Sequence, residues 1–176
     1  MKSSKNKFLI WAVVILVLAA AGYFVFNYFS KLVSIPEIGK AFPIEGAAHV
    51  ATETKVEYRT NPPSSGAHYA NPAPWGVYSK PIADETLVHN LEHGGVWISY
   101  KPLIPQAAKE KLISLAKSYR SKVILSPRDA NDKDIAVVSW GRIYKFDLNA
   151  DGGFDENAVR NYITKYKNTG PEIVPD

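Results

Sequence analysis

Residues 84–100 read DETLVHNLEHGGVWISY, and this stretch carries the fold class. Its first ten residues, 84–93, have helical periodicity. At about 100° per residue, Leu87, Val88 and Leu91 share one face, and Glu85, His89, Glu92 and His93 share the opposite one. Asp84 is placed as a helix N-cap, and Gly94-Gly95 stop the helix. Residues 96–100 are then a strand rich in β-branched and aromatic side chains.

Downstream, helices and strands continue to alternate. Residues 105–119 form an amphipathic helix with Pro105 at its start. Residues 123–125 and 135–140 are short apolar strands, and 142–147 alternates as another, joined through a turn at Gly141. Residues 154–166 are a last helix, with Phe154, Val159, Tyr162, Ile163 and Tyr166 on its apolar side. Upstream, 56–58 suggests a strand. Residues 61–81 hold Pro62, Pro63, Gly66, Pro72, Pro74, Gly76 and Pro81, a long irregular segment of the kind that is usually functional. No internal repeat occurs. Interleaved helices and strands predict an α/β or α+β domain, a small mixed sheet packed with about three helices. One N-terminal transmembrane helix precedes it.

That helix is residues 8–29, FLIWAVVILVLAAAGYFVFNYF, which carry no charge and one amide, Asn27. About 20 apolar residues span a bilayer. Trp11, Tyr23 and Tyr28 lie toward its ends, where amphipathic rings favour the interface. Lys2, Lys5 and Lys7 precede the segment and Lys31 follows it, which places residues 1–7 in the cytoplasm and the remainder outside. A cleaved signal peptide is the rival reading, with Ala19-Ala20-Ala21-Gly22 as the cleavage region. The apolar run continues past the alanines, longer than such regions usually are. Residues 30–43 read as a linker and 44–176 as an extracytoplasmic globular domain.

The net charge of +4 comes from the anchor's flanks. Without those four lysines, the 21 basic residues become 17, equal to the 17 acidic ones. A neutral domain lacks the clustered positive charge that nucleic-acid binding needs. With no cysteine, disulfides, thiolate metal sites and a cysteine nucleophile are all excluded.

The chemistry concentrates in four histidines. His89 and His93 stand one helical turn apart beside Glu92, a spacing that lets two imidazoles reach one ion. The alternative is a solvated polar face. His68 follows Ser64-Ser65-Gly66 in the proline-rich loop, a segment suited to hold a side chain in place.

Many of these residues belong to a wider pattern. His49-Val50, Tyr58, the run from Pro62 to Tyr69, Gly76-Val77-Tyr78, the run from His89 to Gly94, the run from Val96 to Tyr100, Ser126-Pro127, Trp140-Gly141 and Gly170-Pro171-Glu172 resemble domain-of-unknown-function family 3105. The resemblance runs from His49 to Glu172, and all four histidines fall on its motif positions. It implies a membrane-anchored or exported protein and supplies no reaction. Some relatives carry a cysteine just before the Gly-Val-Tyr step, where this chain has Trp75, and another near the C-terminus. A disulfide or thiolate role cannot apply here.

Three functions follow. The first is metal binding by His89, His93, His68 and His49, with Glu92 as a ligand or as an acceptor orienting an imidazole. Imidazole and carboxylate without sulfur suit zinc or copper(II). The only methionine is Met1. The second is a hydrolase, because His-x-x-Glu-His is the inverted zincin order; Glu92 would activate water, with Glu156 or Glu172 as a distant third ligand. The third is a metal-free interaction module of the cell envelope, using Trp75, Trp97, Trp140 and the tyrosines. Nothing names its protein partner. Residues 147–152 begin like a calcium loop, but Ala158 stands where a bidentate glutamate belongs, so a turn is expected.

Overall fold

The computed structural model describes residues 2–172 and 174–175. Met1 and Asp176, the ends of the 1–7 stretch and of the 44–176 domain, lie outside the described residues, as do the side chains of Lys2, Lys5 and Lys31. The chain divides into two units, Met1–Pro36 and Glu37–Asp176.

The first unit is helix α1 (Lys2–Ser34). Within it, the 22 residues Leu9–Ser30 have a mean hydropathy of 2.6 and none is buried. At 1.5 Å per residue they span about 33 Å, against about 30 Å of bilayer hydrocarbon. The helix is long and apolar enough to cross a membrane, a property that signal sequences share.

Among the described residues, the second unit is a mixed α+β fold, as the interleaved pattern predicts. Its helices are α2 (Asp84–Glu92), α3 (Gln106–Lys117) and α4 (Glu156–Tyr166). A six-stranded sheet combines β1 (Lys40–Ala41), β4 (Gly76–Val77), β5 (Val96–Tyr100), β6 (Val123–Pro127), β7 (Ile135–Ser139) and β8 (Arg142–Phe146), in the order β1-β8-β7-β5-β6-β4. β5 and β6 are parallel, which requires a crossover, and α3 is that crossover. β7 and β8 form an antiparallel hairpin through Gly141, whose φ is 68°. A separate parallel pair joins β2 (His49–Val50) to β3 (His68–Tyr69).

Every residue of β5, β6 and β7 is buried, because both sheet faces are covered. Alternate side chains go to opposite sides. Ile98, Leu125 and Val137 meet Leu112 and Leu115 of α3 and Val159, Tyr162 and Ile163 of α4. Trp97, Ile124, Ala136 and Val138 meet Leu87 and Leu91 of α2 on the other side.

Several local expectations change. Residues 56–58 form no strand: the Val56 amide donates to Glu85 Oε1 at 3.1 Å, and the Tyr58 hydroxyl to the Ala67 carbonyl at 2.7 Å. Asp84 is not the cap of α2. Ala83 holds that position without a side-chain bond, and the Asp84 carboxylate is taken by both arms of Arg128, at 2.9 and 2.7 Å. Residues 154–155 precede α4, and Asp155 caps it by accepting from the Ala158 amide at 3.0 Å. The last turn of α1 and strand β1 both lie in the stretch 30–43. The irregular segment 61–81 contains β3 and β4. In the turn at 147–152, the Asp147 carboxylate accepts from Lys133 Nζ at 2.6 Å, and Asp151 Oδ1 accepts from the Gly153 amide at 2.9 Å.

Candidate metal centre

Helix α2 has no solvated face. Glu85, His89, Asn90 and Glu92 are all buried, as are Leu87, Val88 and Leu91. The apolar side packs on the sheet, and the proline-rich loop covers the polar side. Asn90 fastens that loop: its side-chain amide donates to the Ala73 carbonyl at 2.8 Å and accepts from the Ala73 amide at 2.9 Å. The alternative of a solvated polar face is therefore not the one this helix adopts. A buried polar group must find partners, and these residues find them in the covering segment: Glu85 at the Val56 amide, Asn90 at Ala73, His89 at the Tyr69 carbonyl and Glu92 at the His68 ring.

The β2–β3 pair sets His49 directly opposite His68. The α2 helix brings His89 and Glu92 to the same place. The ring centroids of His49, His68 and His89 form a triangle with sides of 5.0, 5.0 and 4.9 Å. One ligand atom from each of His49, His68, His89 and Glu92 lies within 4.8 Å of all the others. Glu92 Oε2 stands 3.0 Å from His68 Nε2 and 3.9 Å from His49 Nε2. Four ligands held tetrahedrally at zinc distances would be about 3.3 Å apart. The side chain of His68 is fully buried, that of His49 is 50% exposed, and so the group is reached from the His49 side. The Trp140 ring packs edge-on against His68.

Two backbone carbonyls orient the rings. His68 Nδ1 donates to the Gly66 carbonyl at 2.8 Å, and His89 Nδ1 donates to the Tyr69 carbonyl at 2.6 Å. A carbonyl can only accept, so in each neutral ring Nδ1 carries the hydrogen and Nε2 holds a lone pair. The His68 lone pair faces the Glu92 carboxylate and the His89 lone pair faces His93 Nε2. His68 Nε2 meets the Glu92 carboxylate at 3.0 Å, so a lone pair faces a lone pair unless a proton or a cation lies between them. His89 is held below its ordinary titration range, first by burial and then by the neighbouring His93, His68 and His49; the bond to Tyr69 opposes the shift.

His93 stands at the edge. Its Nε2 is 3.0 Å from His89 Nε2 and 3.0 Å from Glu172 Oε2. Glu92, His93 and Glu172 form a second group whose ligand atoms lie within 4.8 Å of one another. All five residues singled out from the sequence thus meet in one place, divided into two groups that share Glu92. Glu172, expected only as a remote ligand of a hydrolase, joins the second group. Glu156 does not join either: its carboxylate accepts from Arg160 of its own helix at 2.6 Å. The Gly66 and Tyr69 carbonyls went unread, since a main-chain acceptor leaves no mark in a sequence.

No curated protein and no solved structure matches the chain. A family model described as "Protein of unknown function (DUF3105)" matches residues 49–175, a span that begins at His49 and includes His68, His89, Glu92, His93 and Glu172. With that match over well more than half of its length, the chain belongs to the DUF3105 family.

Proposed function

We propose that this protein is anchored in the membrane by residues 8–29 and binds a divalent first-row metal, zinc or copper(II), in its extracytoplasmic domain. His49, His68 and His89 supply imidazole nitrogen, and Glu92 supplies the anionic oxygen. The observation that carries the reading is the pair of Nδ1–H bonds to the Gly66 and Tyr69 carbonyls. They leave Nε2 of both rings free to bind, within a cluster whose ligand atoms lie within 4.8 Å of one another, and a hydrogen bond on the other ring nitrogen is how metal-binding histidines are usually oriented. The donor set fits the ion: imidazole with carboxylate and no sulfur suits Zn²⁺ and Cu²⁺. The topology rests on three lysines before the apolar segment and one after it.

Glu92 itself approaches the imidazoles of His68 and His49. That position suits a ligand better than a base acting on water at an ion held by His89 and His93, so the inverted zincin reading is the weaker one. Binding is tested by metal analysis of the purified chain, followed by zinc and copper titrations of wild type, His68→Ala and His89→Ala. The expected result is one tight site in wild type and severe loss in each variant. If wild type takes up neither ion, and neither ion moves the thermal midpoint, the metal reading is wrong.

A further inference from the structure

The second group does more than border the first. His93 Nε2 faces two partners at 3.0 Å, His89 Nε2 and Glu172 Oε2. The His89 nitrogen already carries a lone pair, and the carboxylate only accepts. A neutral His93 has at most one hydrogen on that nitrogen, so it cannot satisfy both. The Glu172 carboxylate reaches this point because the C-terminal segment is fastened to the end of α2. The Asn168 amide donates to the Gly94 carbonyl at 2.8 Å, and the Glu172 amide to the Glu92 carbonyl at 3.1 Å. Gly170 lies so close that a Cβ there would collide with the Glu92 carbonyl and the Gly94 amide. The segment is thus built to return a carboxylate to the helix end. Its side chain is 52% exposed and that of His93 16%, which leaves the group open to solvent.

We infer that Glu92, His93 and Glu172 hold a second divalent cation, with Glu92 bridging it to the ion bound by His49, His68 and His89. This inference rests on the proposed metal site and extends it to a two-ion centre. Two carboxylates and one imidazole suit a borderline or hard divalent ion. Paired ions in carboxylate-bridged sites sit about 3.5–4 Å apart, and the short contact between His89 and His93 nitrogens suits ligands of two neighbouring ions.

The test uses the full chain in detergent, stripped with a chelator and titrated with zinc, with bound metal counted after gel filtration. Two ions per wild-type chain are expected, and one per chain in Glu172→Gln and in His93→Ala. Cobalt(II) adds an independent signature: the paramagnetic signal of the first equivalent should be altered by magnetic coupling when wild type takes the second. In Glu172→Gln, where the exposed carboxylate becomes a neutral amide of equal size, that coupling should vanish. One ion in wild type, with Glu172→Gln unchanged, overturns the second site and leaves the first standing. Two ions in both wild type and Glu172→Gln overturn it as well, because the second ion then binds elsewhere. No ion in wild type removes both.

Discussion

Replacing Glu92 by glutamine should move the stability of the metal-free and metal-loaded protein in opposite directions. Glu92 is buried, and its Oε2 lies 3.0 Å from an imidazole nitrogen whose ring is already fixed by the Gly66 carbonyl. Without metal, the carboxylate meets a lone pair. A glutamine amide offers that lone pair a hydrogen, and a buried hydrogen bond contributes about 1 kcal/mol net. For a domain of this size that raises the thermal midpoint by about 3 °C. With metal the sign reverses. An ion held at about 1,000 times its dissociation constant stabilises the fold by about 4.1 kcal/mol. Groups that merely orient a ligand are worth about 10–100-fold in affinity, so loss of the anionic ligand itself should weaken binding by about 100-fold or more. At the same free zinc the stabilisation then falls to about 1.4 kcal/mol or less. Differential scanning calorimetry on chelator-treated and zinc-loaded protein reads both. If Glu92→Gln instead lowers the metal-free midpoint and leaves the zinc-induced shift intact, Glu92 is the ion-pair partner of a charged His68 and not a metal ligand.

Acid should destabilise the metal-free domain through His89. Its folded titration point lies below the ordinary 6.5, with burial as the main cause. Between those two values the unfolded chain binds more protons, so stability rises with pH there, is complete above about 6.5 and is lost as pH falls through the lower folded value. Urea unfolding across that range should show this slope, and it should flatten in His89→Ala. Gly170→Ala should unseat the C-terminal segment, because its Cβ collides with backbone at the end of α2; overpacking of this kind costs about 1–3 kcal/mol, and hydrogen exchange should quicken at Asn168 and Glu172, whereas unchanged protection would refute the docking. The fragment 37–176 should unfold cooperatively without detergent, and 44–176 should be weaker by about 2 kcal/mol. The shorter fragment loses β1 and the bond from the Phe42 amide to the Gly141 carbonyl; equal midpoints would show that β1 contributes nothing.

Periodic, local features can be read from the chain alone. An uncharged run long enough for a membrane, three amphipathic helices and the apolar strands 96–100, 123–125, 135–140 and 142–147 are all legible, because burial imposes a spacing of 3.6 or 2 residues on one chain segment. The four histidines stood out as a chemical set, and His89 with His93 as one helical turn. The tertiary structure decided what surrounds them. A helical wheel can divide α2 into apolar and polar faces, but it cannot tell that a proline-rich loop covers the polar one and buries Glu92. Residues 56–58 read as a strand by composition, yet their backbone partner is a glutamate side chain 29 residues away in sequence. The pairing of His49 with His68 comes from two strands of two residues each, too short to leave a period. The return of Glu172 to the end of α2 depends on backbone bonds between segments about 80 residues apart in sequence. Contacts of that kind form only when the whole chain has packed, and so the division of one histidine cluster into two groups that share a carboxylate is a property of the fold.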